Sequence, residues 1–371
     1  MSCFYIPVRV FEETDAVSRH AEDLAALGRK ALIVTGRSSA FRNGAYDDVA
    51  AALESRHCPH VLFNEVEENP SVETVMKARD LGLKEGVDFV IGIGGGSPLD
   101  AAKAIALMIR HGGRDSTYLY HPDGDSSALP VAAVPTTCGT GSEVTAVSVL
   151  TDTAKGIKKS IPHKLFPKLA LIDGRYLQAA PMSVLANTAF DALTHLIESF
   201  LNSTATPYSR MFVDAGLRTW ALSLPVLRGV KQPDAEDFMH MMRASAMAGM
   251  AIAHTATTLP HGLSYPLTHK LGVPHGKATA YFTAGYLAFA SEEDRNYLLR
   301  TAGFRSLADF RAVYHKACGE VDADSAKLCE VLDGAVEETG SNPVKLGLAA
   351  FPVTKEQLRE MAYYERNHPL D

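Results

Sequence analysis

The chain has 371 residues, 46% of them hydrophobic and 21% charged, with a mean hydropathy near zero. At roughly 100–200 residues per domain this length predicts two domains with sizeable cores, and the composition excludes a disordered, collagen-like or low-complexity chain. With 36 basic and 43 acidic residues the net charge is −7, and no Lys/Arg block offers a footprint for nucleic acid or an anionic membrane.

Through the first half, short β-rich runs alternate with helical stretches. The apolar runs are Ala31–Thr35, Val61–Phe63, Phe89–Ile93, Val131–Val134 and Leu169–Ile172, with amphipathic segments at Tyr46–Ser55 and Val72–Leu81 between them. That alternation predicts a parallel, helix-covered α/β sheet. The polar stretch from Asp152 to Ser160, which contains Gly156, reads as a turn between two strands. Beyond about Pro181 the β-branched runs give way to long Ala/Leu/Met-rich segments at Val184–Leu201, Met211–Leu222, Phe238–Ala253 and Asp294–Leu299. This predicts a helical second domain, residues 183–371, after an α/β domain at residues 1–182. A capping box of Thr354 with Gln357 is expected to open the last helix.

The five cysteines, Cys3, Cys58, Cys138, Cys318 and Cys329, are odd in number and scattered, so a reducing, cytoplasmic setting is expected. The opening MSCFYIPVRVFEET lacks a basic region followed by a long apolar run, so no signal peptide is expected. The longest stretch without Asp, Glu, Lys or Arg, Ala244 to His269, holds Pro260, Pro266 and three histidines, too polar for a membrane span.

Two loops carry a nucleotide signal. In FVIGIGGGSPLDAAKAIA, residues 89–106, an apolar strand runs into Gly94, Gly95, Gly96 and Ser97 and then a helix. Glycines let the backbone approach a ligand, and the helix start presents free N–H groups and a positive dipole end to phosphate. Asp100 and Lys103 lie in the first helical turns. The pattern is neither GxGxxG nor a P-loop, and alone it is as compatible with a plain tight turn. PTTCGTGSE, residues 135–143, also follows an apolar run and is rich in hydroxyls at Thr136, Thr137, Thr140 and Ser142. Two such loops after two strands of one sheet point to a single extended nucleotide.

The helical half carries a metal signal. Asp191 and His195 are at i and i+4 in NTAFDALTHLI, where an unpaired charge is costly. His261 and His275 each stand between Pro and Gly. One carboxylate and up to three imidazoles can converge on a divalent ion, with Fe2+ and Zn2+ both suited to the donors.

Together GGGSPLD, PTTCGTGSE, FDALTHLIE and PHG…VPHG resemble the signatures of the iron-containing (group III, metal-dependent) alcohol dehydrogenases, in order and over nearly the whole chain. The resemblance implies the dehydroquinate synthase-like architecture: an N-terminal α/β dinucleotide-binding domain plus an all-α C-terminal domain, with the active site in the cleft between them. It implies metal ligands at Asp191, His195, His261 and His275, a pyrophosphate loop at Gly94–Ser97 with Asp100 near it, and further cofactor contacts at Thr136, Thr137, Thr140, Ser142 and Lys158. It also implies a homo-oligomer. The activity implied is hydride transfer between NAD(P) and a small primary alcohol or its aldehyde. Alternatives are a glycerol dehydrogenase-like or dehydroquinate-synthase-like enzyme, or a non-catalytic nucleotide-binding protein, whose expected mark would be a broken ligand set.

Three positions depart from the family pattern. Tyr265 stands where many members place a histidine implicated in proton handling, and is the candidate catalytic side chain. Cys138 replaces an alanine and reads as a packing residue. After the strand ALIVT, where the family often has an aspartate for the ribose 2′-hydroxyl, this chain has Gly36, Arg37 and Ser38. Without the repelling charge, and with an arginine for a 2′-phosphate, NADP(H) is expected to serve at least as well as NAD(H).

Overall fold

A computed structural model describes residues 4–153 and 157–370 of the chain. It divides into two compact units, one running from Tyr5 to Ala180, the other holding Phe4 and the chain from Pro181 onward. Helices of eight residues or more are numbered here in chain order.

The first unit is built on β1 (Arg9–Glu12), β2 (Ala31–Gly36), β3 (His60–Val66), β4 (Phe89–Gly94), β5 (Val131–Pro135) and β8 (Leu169–Ile172). They form one sheet in the order β1-β8-β5-β4-β2-β3, every pairing parallel. The five apolar runs of the sequence all lie in strands. β1 was not among them: RVFE carries charges at both ends and sits at the sheet edge, where only one side needs a partner.

Side chains alternate between the two faces with period two. Leu32, Val34 and Val90 pack under α2 (Val72–Glu85) and α3 (Gly96–Arg110). Ala31, Ile33, Ile91 and Ile93 pack under α1 (Ala45–Ser55) and the short helices before β2. Between β5 and β8, β6 (Val149–Asp152) and β7 (Ile157–Ser160) pair antiparallel as a hairpin. Gly156, expected in its turn, lies outside the described residues, as does Cys3.

Strand order reverses between β2 and β4, because the chain leaves β2 for β3 and returns on the other side to β4. In open α/β sheets the crevice at such a reversal, beyond the strand carboxyl ends, is where ligands bind. The loops that follow these two strands begin at Gly36 and Gly94.

The second unit is helical. Its main elements are α4 (Met182–Phe200), α5 (Pro207–Ala221), α6 (Ala235–Thr255), α7 (Leu259–Leu271), α8 (His275–Phe289), α9 (Glu292–Thr301), α10 (Leu307–Cys318), α11 (Ser325–Gly340) and α12 (Lys355–Ala362). From Phe190 to Phe200 every residue of α4 is buried, so this helix is the axis of the unit, packed by α5, α6 and α8. The Thr354–Gln357 capping box is present, but a short helix at Tyr364–Asn367 follows it. α7 forms although Pro266 lies inside it. Pro260 is in its first turn, where a missing N–H costs nothing, and packing on α8 and α11 carries the interruption at Pro266. No helix of the described residues is long and apolar enough to cross a membrane.

Candidate metal centre and nucleotide loops

α4 presents Asp191, His195 and Glu198 in one stripe, since steps of four and three residues return to nearly the same face. Facing it are the starts of two helices: His261 in the first turn of α7 and His275 as the first residue of α8. Asp191 Oδ1 stands 3.6 Å from His261 Nε2 and 3.9 Å from His275 Nε2, and the donor atoms of the three residues all lie within 4.8 Å of one another. Two ligands on a tetrahedral ion at about 2.1 Å would be about 3.4 Å apart, so the spacing matches a divalent metal.

The surroundings agree. Asp191 and His261 are buried, and His261 Nε2 is a buried nitrogen with no hydrogen-bond partner. Burial alone would raise the Asp191 carboxyl, but the charges of His195, His275 and His261 and a hydrogen bond from Thr279 hold it below the usual range. A cation beside two helix N-termini opposes both dipoles, and the carboxylates of Asp191 and Glu198 offset that.

His195 borders this three-residue group without a donor atom inside its 4.8 Å span. Its ring stacks on that of His261, with centroids 4.5 Å apart. Tyr265, one turn along α7, lies parallel to the His275 ring at 6.2 Å. Burial, then the negative charges of Glu198 and Asp191, push its phenol up to about 12. That direction favours a hydrogen-bond donor over a base.

Glu198 was missed as a functional residue, although it ends the motif FDALTHLIE. Its Oε1 accepts from the backbone N–H groups of Thr258 and His261, at 3.1 and 3.0 Å, and its Oε2 pairs with His261 Nδ1. The signal in the sequence was a glutamate inside the apolar run FDALTHLIESF, seven residues after Asp191 and on the same helix face.

In the α/β unit, β4 ends at Gly94 with φ of 148°, and a Cβ there would meet Pro98 at 2.6 Å. Cβ atoms on Gly95 and Gly96 would approach the Thr137 and Thr140 side chains at 3.1 and 2.9 Å, so these glycines let the two loops lie against each other. Thr136 N–H bonds to the Gly94 carbonyl. Ser97 Oγ accepts from Asn69 N–H, and Asn69 Oδ1 accepts from Lys158 at 2.5 Å, which places Lys158 beside the glycine loop.

Asp100 and Ser142, both expected as cofactor contacts, are bonded to each other. Ser142 Oγ donates to Asp100 Oδ1 at 2.5 Å, Val149 N–H donates to Oδ2, and the buried Lys103 Nζ donates to Ser142 Oγ at 2.7 Å. Their immediate work is to brace one loop on the other. Cys138 is buried, as packing requires. Gly36 is partly buried at the end of β2, followed by exposed Arg37 and Ser38.

A parallel α/β unit with glycine and threonine loops at its strand ends, and a helical unit gathering carboxylate and imidazoles, define the class of metal-dependent dehydrogenases. The comparisons agree on a family. Residues 7–174 match the iron-containing alcohol dehydrogenases, and residues 185–362 match the Fe-containing alcohol dehydrogenase family, C-terminal. The chain is 30% identical to an NAD-dependent methanol dehydrogenase of Bacillus methanolicus, over 83% of this chain and 80% of that protein. It is also 30% identical to an NADPH-dependent butanol dehydrogenase of Clostridium saccharobutylicum, over 76% and 73%. An iron-containing alcohol dehydrogenase from Thermotoga maritima superposes with a TM-score of 0.88 at 34% identity, covering 98% of this chain and 99% of that one. The chain belongs to the iron-containing alcohol dehydrogenase family and is an oxidoreductase acting on CH–OH groups.

Proposed function

We propose that the protein interconverts a small primary alcohol and its aldehyde with NADP(H), used at least as well as NAD(H), at a site that holds Fe2+, with Zn2+ as the alternative. The observation that carries this reading is the convergence of Asp191, His261 and His275, whose donor atoms lie within 4.8 Å of one another. His195 completes the ligand set. When bound, the ion supplies Lewis acidity toward the substrate oxygen, and the nicotinamide exchanges the hydride.

The chain's own residues do the rest. Asp191 brings negative charge to the cation, and the buried walls of α4, α7 and α8 exclude water. In this reading Tyr265, beside the His275 ring, donates a hydrogen bond to the substrate and does not act as the base. The N–H groups at the start of α3 bind pyrophosphate, with Gly94–Ser97 allowing close approach and Thr136, Thr137, Thr140 and Lys158 beside them. Asp100 and Ser142 hold this pair of loops together. Arg37, Ser38 and the missing carboxylate at Gly36 favour a 2′-phosphate. The methanol and butanol relatives use different cofactors by name, so the preference rests on these three residues. A cytoplasmic location is supported by the free thiols of Cys58, Cys318 and Cys329.

The test is a substrate screen of metal-loaded protein with short alcohols and aldehydes and both nicotinamides, read at the reduced-nicotinamide absorbance band. Turnover of at least one primary alcohol or aldehyde is expected, and the His261→Ala variant should lose most activity and metal while still binding nucleotide. Full metal and full turnover in that variant would refute the ligand assignment.

A further inference from the structure

We propose that Glu198 is the positioning residue that fixes the orientation and tautomer of His261, and thereby sets the affinity of the metal centre. The inference rests on the metal-site reading above and extends it to a side chain that is not a ligand.

Glu198 is fully buried and the structure uses both its oxygens. Oε1 receives the N–H groups of Thr258 and His261 and, at 3.3 Å, the Thr258 hydroxyl. This seats the free N–H groups of α7 on a carboxylate borrowed from α4. The N-cap residue Thr258 makes no side-chain cap bond of its own, so Glu198 takes the role a cap would play. Oε2 pairs with His261 Nδ1.

One carboxylate therefore grips His261 twice, by its backbone N–H and by its ring. With the backbone and one ring nitrogen pinned, the imidazole has no torsional freedom left. Because a carboxylate only accepts, the ring must carry its proton on Nδ1. That leaves the Nε2 lone pair directed at Asp191 Oδ1, 3.6 Å away, where the ion belongs. A carboxylate behind a ligating imidazole also raises its basicity. Lys345, partly buried, donates to the Thr257 carbonyl and hydroxyl at 2.8 and 3.0 Å, and its charge supports the ionised Glu198.

The Glu198→Gln variant preserves shape and can still accept the two backbone N–H groups through its carbonyl oxygen. Its NH2 group must then face His261 Nδ1, which pushes the ring proton to Nε2 and removes the ligand lone pair. The measurement is titration of the chelator-stripped protein with Co2+, followed by its visible ligand-field absorption, with circular dichroism of the metal-free protein alongside. Glu198→Gln should weaken Co2+ binding tenfold or more, in the range of 10–100-fold typical for such partners, with the helical signal unchanged.

Affinity within twofold of the wild type would overturn the inference while leaving the metal-site reading intact, provided His261→Ala loses binding. If the wild type took up no Co2+, or His261→Ala kept full affinity, the metal-site reading itself would fall. Should Glu198→Gln not fold, 15N-histidine spectra of the zinc-loaded wild-type protein decide the matter. A slowly exchanging proton on Nδ1 of His261 is expected, and a proton on Nε2 with Nδ1 toward the metal overturns the proposal.

Discussion

A Cβ placed on Gly276 would stand 1.9 Å from the Asn187 carbonyl oxygen and 2.9 Å from Asp191 Cβ. The first turn of α8 lies directly on the backbone of α4, and this close approach brings His275 to Asp191. The glycine after the other Pro-His pair is different: a Cβ on Gly262 would meet only the Thr339 side chain, at 3.1 Å. Gly276→Ala should therefore force the helices apart, costing about 3 kcal/mol of stability as overpacking does, and should lower metal content. Gly262→Ala should cost less than about 1 kcal/mol, because the gain in helix propensity offsets the tighter contact. Thermal melts and metal analysis of the two variants side by side check this, and equal damage from both would count against it.

Tyr265 should matter as a donor and not as a base. Burial and the charges of Glu198 and Asp191 push its phenol up to about 12, which favours a donor over a base. Tyr265→Phe should lower kcat about three- to tenfold, the worth of one hydrogen bond, and leave the pH profile of kcat unchanged in shape. Loss of an ionisation from that profile would make the phenol a general base after all. Unchanged kinetics would make it an apolar wall.

Glu143 gives the α/β unit a pH-dependent stability. It is buried, which raises its carboxyl to about 7 against the opposing charge of Lys103. The unfolded chain has an ordinary value near 4.5. The folded state thus binds the proton more tightly, so this contribution is present below about pH 4.5 and is lost as pH rises through about 7. Relative to the wild type, Glu143→Gln should gain stability across that window, on the order of 3 kcal/mol in total. Denaturant unfolding at pH 5 and pH 8 measures it, and parallel pH profiles for the two proteins would sink the prediction.

Cofactor choice should turn on the end of β2. Gly36→Asp restores a carboxylate next to the position of the ribose 2′-hydroxyl and opposes a 2′-phosphate. The substituted Cβ would lie 3.3 Å from the Val66 carbonyl oxygen, a tight but tolerable fit. The ratio of kcat/KM for NADP(H) over NAD(H) should drop at least tenfold, about 1.4 kcal/mol. A wild-type preference of tenfold or more for NAD(H) would already defeat the reading of Arg37 and Ser38.

The parallel sheet and the helical second half were legible in the sequence because their signals are local. Runs such as ALIVT and FVIGI, short, β-branched and followed by glycine, read as strands buried on both faces, and α4 to α6 announce themselves by length and composition. The paired glycine and threonine loops and the apolar settings of Asp191 and His261 also stand out, since a buried charge or imidazole needs a partner. Strand β1 was not legible, because its partner β8 lies some 160 residues away and the edge position asks little of its side chains. Nor was the hydrogen bond between Asp100 and Ser142, two residues far apart in the chain that read separately as ligand contacts. The same is true of Glu198. Nothing in one helix tells a glutamate that it will cap the next and grip a histidine at both its backbone N–H and its Nδ1. Only the packing of α4 against the starts of α7 and α8 buries that carboxylate, and burial without water is what obliges its two oxygens to find those partners.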